Sequence, residues 1–182
     1  MTGIGPGEQR AGVHVDGPAV GTFAPTFRAP ASSGQTLDTD RFLGKVPVVL
    51  CFAPGSGDAI GWEAVLGLDA VLADFARARV QILAVVPETS REVRDDAEAD
   101  DITLRVLADP AGHLAQRFDI ETVPGRVTSV IVDRHGVVVD TITSELGAAH
   151  ALTLIDRVRE LQATLGERMA PHNLAHHTAH IT

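Results

Sequence analysis

Cysteine and lysine are almost absent from this chain of 182 residues, since each occurs once, as Cys51 and Lys45. A single cysteine excludes an internal disulfide and favours a reducing compartment, which we expect to be the cytoplasm. Binding to nucleic acid or to an anionic membrane requires clustered basic residues, whereas this chain carries 15 basic and 24 acidic side chains. Nucleic acid and membranes are therefore not expected partners.

Long hydrophobic segments are also missing. No stretch approaches the roughly 18 consecutive apolar residues of a transmembrane helix, and the first ten residues lack the pattern of a secretory signal. Apolar residues still make up 45% of the chain, which is enough for one domain with a sizeable core. We expect a flexible arm over residues 1–19, a domain over residues 20–166 and a polar, histidine-rich tail over residues 167–182.

The hydrophobic pattern predicts an α/β domain. Two nearly continuous apolar runs, residues 46–52 and 80–86, are typical of strands covered on both faces. Two further strands, 127–132 and 137–142, flank an Asp-Arg-His-Gly hairpin signal. Amphipathic helices are predicted over residues 62–77, 89–99 and 146–165. This order predicts a mixed sheet with helices on both faces.

Four short motifs occur in an order known from one family. They are VGTFAPTF from Val20, GKVPVVL from Gly44, LADPAG from Leu107 and VIVDRHG from Val130. Together they resemble the peroxiredoxins of the alkyl hydroperoxide reductase and thiol-specific antioxidant (AhpC/TSA) class. The resemblance implies a thioredoxin-like fold, an antioxidant or oxidoreductase ancestry and a homodimer.

The family's catalytic motif is incomplete in this chain. Its pattern, P-x-x-x-T-x-x-C, begins here at Pro54, so that Asp58 takes the threonine position and Gly61 the cysteine position. Counting back from Glu63 places the cysteine on Ile60 instead. The family's arginine falls on Val127, next to Arg126. Peroxide reduction requires a thiolate stabilised by a helix N-terminus and an arginine, and neither register supplies a sulfur atom.

Two interpretations are open for the residues around that motif. Asp58, Trp62, Glu63 and Arg126 could form a thiol-free acid–base or small-molecule site. Alternatively, Asp58 caps a helix, Glu63 favours the first turn of that helix and Trp62 packs. Cys51 could likewise be a relocated nucleophile, or a small core side chain without reactivity.

The C-terminal tail carries His172, His176, His177 and His180. Their spacing could hold a transition metal such as zinc, nickel or copper, the one cofactor that we consider. The alternative is a polar terminus without a ligand. His14, His113, His135 and His150 are expected on the surface.

Two functions follow as expectations. The first is a binding or assembly module that has lost peroxidase activity, with an unidentified small molecule or protein as its partner. The second is an enzyme that uses Cys51 or the thiol-free site.

Overall fold

A computed structural model describes residues 17–172 of the chain. Two of its strands form a small antiparallel hairpin, and the other five form one sheet. In chain order the strands are β1 Arg28–Pro30, β2 Thr36–Asp38, β3 Val48–Phe52, β4 Gln81–Val86, β5 Val106–Ala108, β6 Val127–Val132 and β7 Val138–Ser144. The α-helices are α1 Ala59–Ala70, α2 Leu72–Arg77, α3 Ser90–Ala99, α4 His113–Arg117 and α5 Gly147–Leu165.

The five-stranded sheet has the order β5-β4-β3-β6-β7 and is mixed. β3 runs parallel to β4 and antiparallel to β6, so it is the central strand, and all five of its residues are buried. Val49 and Cys51 face a core shared with α1 and α5, whereas Leu50 and Phe52 face a core closed by α4 and β1. The predicted mixed sheet with helices on both faces is therefore confirmed.

The predicted helix over residues 62–77 is divided in the structure. Val71 leaves the helical conformation, with φ −107° and ψ 15°, and α2 starts at the next residue. Phe75 of α2 is fully buried in the same core as the apolar residues of α1. Hydrophobic spacing did not distinguish one helix from two because both helices place apolar residues on the same core.

The predicted burial was wrong for three residues in and next to α5. His150, expected on the surface, is fully buried, whereas Leu146 and Leu152, counted on the apolar face, are 66% and 58% exposed. The helix instead presents small residues to α1, where Gly67 lies close to Ala148. Farther along the helix the predicted apolar face is right, since Ile155, Val158 and Leu161 are buried; near the N-terminus of α5 the close approach of α1 favours small residues.

The packed part of the chain continues beyond residue 166, where we expected the polar tail to start. Met169 is fully buried, and Arg168 forms a 2.8 Å ion pair with the buried Asp133. At the other end Gly17 is buried and donates a hydrogen bond to the Asp119 carbonyl. Residues 1–16, most of the expected arm, lie outside the described residues. Within residues 17–172 no helix is long and apolar enough to cross a membrane.

Candidate functional site

Asp58 occupies the N-terminus of α1, where the family motif would place its threonine. Its Oδ1 accepts a hydrogen bond from the Gly61 amide at 2.8 Å, and its Oδ2 accepts one from the Gly125 amide, also at 2.8 Å. The carboxylate therefore joins α1 to the loop before β6 with both oxygens engaged. The predicted helix cap is confirmed, and the second bond could not be read from the sequence because it spans 67 residues.

Gly61 has no room for a side chain. A Cβ atom built on this residue would lie 3.0 Å from the Pro54 nitrogen and would overlap the proline ring. Real Cβ atoms do not come closer than 3.0 Å to another heavy atom without a shift of the chain, and the Pro54 ring lies within that limit. If the family's cysteine corresponds to residue 61, its side chain would therefore overlap Pro54. Ile60, the other candidate, is half-buried.

Trp62 and Glu63 point away from Asp58. The Trp62 Nε1 group donates a 2.7 Å hydrogen bond to Asp100 Oδ2, just beyond α3. Glu63 is exposed and lies over the first residue of α5, where a Cβ on Gly147 would come within 2.7 Å of its carboxylate. The structure thus brings together Pro54, Asp58 and Gly61 but not the two residues that follow them.

Arg126 is half-buried and directly follows Gly125, whose amide binds Asp58. Val127, at the position of the family's arginine, is fully buried in the core shared with α1 and α5. A guanidinium at residue 127 would place a charge inside that core, which is costly without a partner. If the family's arginine corresponds to residue 127, as the sequence analysis expects, an apolar side chain takes its place.

The loop after β3 is closed by Glu88, a residue that the sequence analysis did not single out. Glu88 Oε1 accepts hydrogen bonds from the Ser56 amide at 2.6 Å and from the Ser56 hydroxyl at 2.8 Å. Burial raises the pKa of Glu88, and neighbouring Asp96 acts in the same direction. This contact could have been predicted only from the topology. Glu88 follows β4, and the loops after two parallel strands, here β3 and β4, lie at the same edge of the sheet.

Cys51 lies in the middle of β3, opposite Ser129 of β6. It is fully buried, and burial raises the pKa of its thiol to about 11, although a hydrogen bond from Ser129 acts in the opposite direction. The fraction of thiolate at neutral pH is therefore very small. The prediction that Cys51 is a core side chain is confirmed, and its lack of reactivity stays a prediction.

His150 forms a hydrogen bond with Ser129, the buried residue that also bonds to Cys51. Its Nε2 lies 2.7 Å from Ser129 Oγ, while its Nδ1 is buried without a hydrogen-bond partner. A buried N–H without an acceptor costs more than a buried lone pair, so we assign the proton to Nε2, which donates to Ser129. Burial lowers the pKa of His150 to about 4.

This burial predicts a dependence of stability on pH. The unfolded chain binds a proton at His150 below its ordinary pKa of 6.5, whereas the folded chain does not until about 4. Stability is thus complete above pH 6.5 and falls as the pH decreases toward 4, by about 2 kcal/mol between pH 7.5 and 5. Urea unfolding of the His150→Gln variant should lack this part of the pH dependence, and His113→Gln, at an exposed histidine, should keep it. Equal pH profiles for all three proteins would contradict the assignment.

Of the predicted metal ligands, only His172 is among the described residues; His176, His177 and His180 lie outside them. No group of three or more histidine, cysteine or acidic side chains suited to a metal occurs within residues 17–172.

An open groove of about 500 Å³ lies at the ends of β4 and β5, and its walls include Pro87, Pro110, Gln116 and Ile120.

Solved structures with a similar fold include peroxiredoxins. Peroxidoxin BcpB from Mycobacterium tuberculosis has 22% sequence identity and a TM-score of 0.68, over 78% of this chain and 97% of that one. A cysteine-to-serine mutant of PrxQ from Xylella fastidiosa has 12% identity and a TM-score of 0.71, over 78% and 96%. The reduced 2-Cys peroxiredoxin of Plasmodium vivax has 20% identity and a TM-score of 0.66, over 79% and 98%.

A search of curated proteins for similar sequences found no match. In the scan against protein families, the model of the AhpC/TSA family matches residues 20–141, about two thirds of the chain. That span includes the capped helix, the closed loop and the strand with Cys51. The chain belongs to the AhpC/TSA family.

Proposed function

We propose that this protein has lost thiol peroxidase activity and uses the peroxiredoxin scaffold as a binding or assembly module. The observation that carries the proposal is the double hydrogen bond of Asp58 to the Gly61 and Gly125 amides. In a peroxidase of this fold, a helix N-terminus stabilises the attacking thiolate and the departing oxygen. Here the protein's own carboxylate holds one donor of that helix N-terminus, the Gly61 amide, together with the Gly125 amide of the loop before β6.

The chemistry requires a sulfur nucleophile that this site lacks. A thiolate attacks the O–O bond, a sulfenic acid forms on sulfur, and the leaving oxygen departs as hydroxide or alkoxide and takes up a proton. Neither Ile60 nor Gly61 can form that bond, and Asp58 adds negative charge where the anion would develop. Positions 58, 61 and 127 therefore all oppose the reaction.

Cys51 is the alternative nucleophile, and its surroundings disfavour it. The thiol is fully buried at the centre of the sheet, so a peroxide has no access without local unfolding. Its raised pKa of about 11 further reduces the reactive thiolate. A thiol-free site around Asp58, Glu63 and Arg126 is disfavoured because Glu63 lies over α5.

Consumption of hydrogen peroxide and of an alkyl hydroperoxide, measured with dithiothreitol and with thioredoxin as reductants, tests this proposal. We expect the wild type and Cys51→Ser to consume peroxide at the same background rate as buffer. Turnover by the wild type that disappears in Cys51→Ser would establish the enzymatic alternative. Turnover that persists in Cys51→Ser and is lost in Asp58→Asn would establish thiol-free chemistry.

A homodimer in the cytoplasm belongs to the same proposal. The cytoplasmic location rests on the single cysteine, and export into the medium of a tagged full-length protein would contradict it.

The homodimer is supported by exposed leucines on two helices that pack together, Leu66 on α1 and Leu152 on α5. We expect a sedimentation mass of two chains, reduced to one by Leu152→Glu but not by Phe23→Glu, which alters an exposed residue paired with Val137. A monomeric wild type would remove the homodimer.

A further inference from the structure

A half-enclosed cavity of about 420 Å³ lies beside the small β1–β2 hairpin. Its walls come from the turn and second strand of the hairpin, from the short 3₁₀ helix Thr39–Arg41 that follows, and from the residue before β5. None of its lining residues belongs to the site around Asp58. Sites for small molecules have volumes of about 300–1,000 Å³, so the cavity is large enough for one.

Two guanidinium groups, those of Arg41 and Arg105, line this cavity. Both side chains are exposed, and neither forms an ion pair or a hydrogen bond with another residue of the described chain. Asp38, the carboxylate among the lining residues, is already in a 3.3 Å ion pair with Arg28. The cavity therefore carries two positive charges that its own lining does not neutralise.

Neighbouring carboxylates do not account for these two arginines. Arg105 also lines an adjacent groove with Glu98 and Asp101, but among residues 17–172 it pairs with neither of them. Asp40 directly precedes Arg41 and forms no ion pair with it either. Like charges on one cavity repel each other, and an anion bound between them would replace that repulsion by attraction.

The backbone on both sides of the cavity is fixed by hydrogen bonds. The buried Thr39 hydroxyl accepts one from the Phe27 amide at 2.8 Å and donates one to the Phe27 carbonyl at 3.0 Å. On the other side the Ser32 amide donates to the Val106 carbonyl at 2.8 Å, and the Val106 amide donates to the Ser32 hydroxyl at 3.1 Å. The walls are therefore formed before a ligand arrives, which reduces the entropy that binding must overcome.

The chemistry of the lining suits a phosphate monoester. A guanidinium binds phosphate oxygens through a planar fork of N–H donors, and two guanidinium groups match the charge of about −2 that a monoester carries near pH 8. The polar side chains of Ser33, Gln35 and Thr36 add further hydrogen-bonding groups. Half-buried Leu37 and Phe42 provide an apolar wall for the organic part of such a ligand.

We propose that the cavity beside the β1–β2 hairpin binds a small organic phosphate monoester, with Arg41 and Arg105 on the phosphate and Leu37 and Phe42 against the organic group. The site goes beyond the proposed loss of peroxidase activity and supplies a ligand class for the proposed binding role. Peroxide turnover by the wild type would refute that loss and leave the binding of a phosphate monoester unchanged, so the failures of the two proposals are distinguishable.

Calorimetric titration of the full-length protein with phenyl phosphate, at about pH 8 and constant ionic strength, tests this site. We expect one molecule per chain with a submillimolar Kd in the wild type, and at least about tenfold weaker binding in Arg41→Ala and in Arg105→Ala. Both side chains are exposed, so these variants should keep the circular dichroism of the wild type. Arg117→Ala removes an exposed arginine from α4, and this charge-matched control should bind as the wild type does.

Inorganic phosphate and phenol separate the two parts of the ligand. Inorganic phosphate should bind at least about tenfold more weakly than phenyl phosphate because it does not contact the apolar wall, and phenol should not bind at this cavity. Absence of phenyl phosphate binding by the wild type would overturn the proposal. Wild-type affinity in Arg41→Ala or Arg105→Ala, an equal loss in Arg117→Ala, or equal affinity for inorganic phosphate would overturn it as well.

Discussion

The Gly61→Ala variant is expected to be less stable than the wild type by at least about 2 kcal/mol, although alanine is the better helix former. The added Cβ would overlap the Pro54 ring and lie 3.0 Å from the Pro54 nitrogen. Relief would require the loop after β3 to move, and that loop is held by Glu88. Urea unfolding followed by circular dichroism gives the difference in the free energy of unfolding.

Gly57→Ala is the matched control for this prediction. No atom lies within 4 Å of a Cβ built on Gly57, and the residue precedes the same helix. Its stability should differ from that of the wild type by no more than about 0.5 kcal/mol. Pro54→Ala removes the overlapping ring, so the double variant Pro54→Ala/Gly61→Ala should be more stable than the sum of the single effects implies. Equal stability of Gly61→Ala and Gly57→Ala would show that the position is open to a side chain.

The same contact changes how a peroxidase could be restored in this scaffold. Gly61→Cys alone places the sulfur on a Cβ that Pro54 excludes, so we expect an unstable protein and not an active one. Val127→Arg would place a guanidinium in the core in which Val127 is fully buried, and we expect this to destabilise the protein. The packing at Pro54 and around Val127 thus opposes the family's residues at positions 61 and 127.

Removal of the Asp58 carboxylate is the second change with a large expected effect. Asp58→Ala should cost about 2 to 3 kcal/mol, because it removes a helix cap and also leaves the Gly125 amide without its acceptor. Asp58→Asn keeps an oxygen for one of the two amides, so its stability should be intermediate. Both values can be measured by urea unfolding.

Sulfate distinguishes a filled anion site from an ordinary helix cap. In Asp58→Ala the Gly61 and Gly125 amides are free to bind an anion together, so sulfate should stabilise this variant more than it stabilises the wild type. Thr89→Ala is the control, since it removes the capping box of α3 without freeing a second, converging donor. Equal responses to sulfate at matched ionic strength in Asp58→Ala and Thr89→Ala would contradict the account.

The strands and the helix cap could be predicted because their signals are local. β6 was predicted at its observed bounds as the first strand of a hairpin signal, and Asp58 was assigned as a cap from its place before a helical pattern. The bond from Ser56 to Glu88 and the burial of His150 were missed. Both depend on which distant segments meet, and residue type alone does not reveal this.

Two glycines of the loop after β3 also have contacts that residue type alone does not reveal. The sequence shows Gly61 only as a residue other than the family's cysteine, whereas the structure shows why only glycine fits beside Pro54. Gly55 has a φ of +100°, and a Cβ there would lie 2.7 Å from Glu88 Oε1. The loop between β3 and α1 is thus a packed connection, and this property follows from contacts rather than from the pattern of residues.

The most direct test is the oxidation state of Cys51 after a single exposure to peroxide, because this first step needs no reductant. Intact-mass spectrometry should show the native protein unchanged after treatment with a few equivalents of hydrogen peroxide. The same treatment in urea should add oxygen to the exposed thiol, which serves as the positive control. Addition of one oxygen atom to the native protein within seconds, lost in Cys51→Ser, would contradict the claim that this member of the AhpC/TSA family has no peroxidatic thiol.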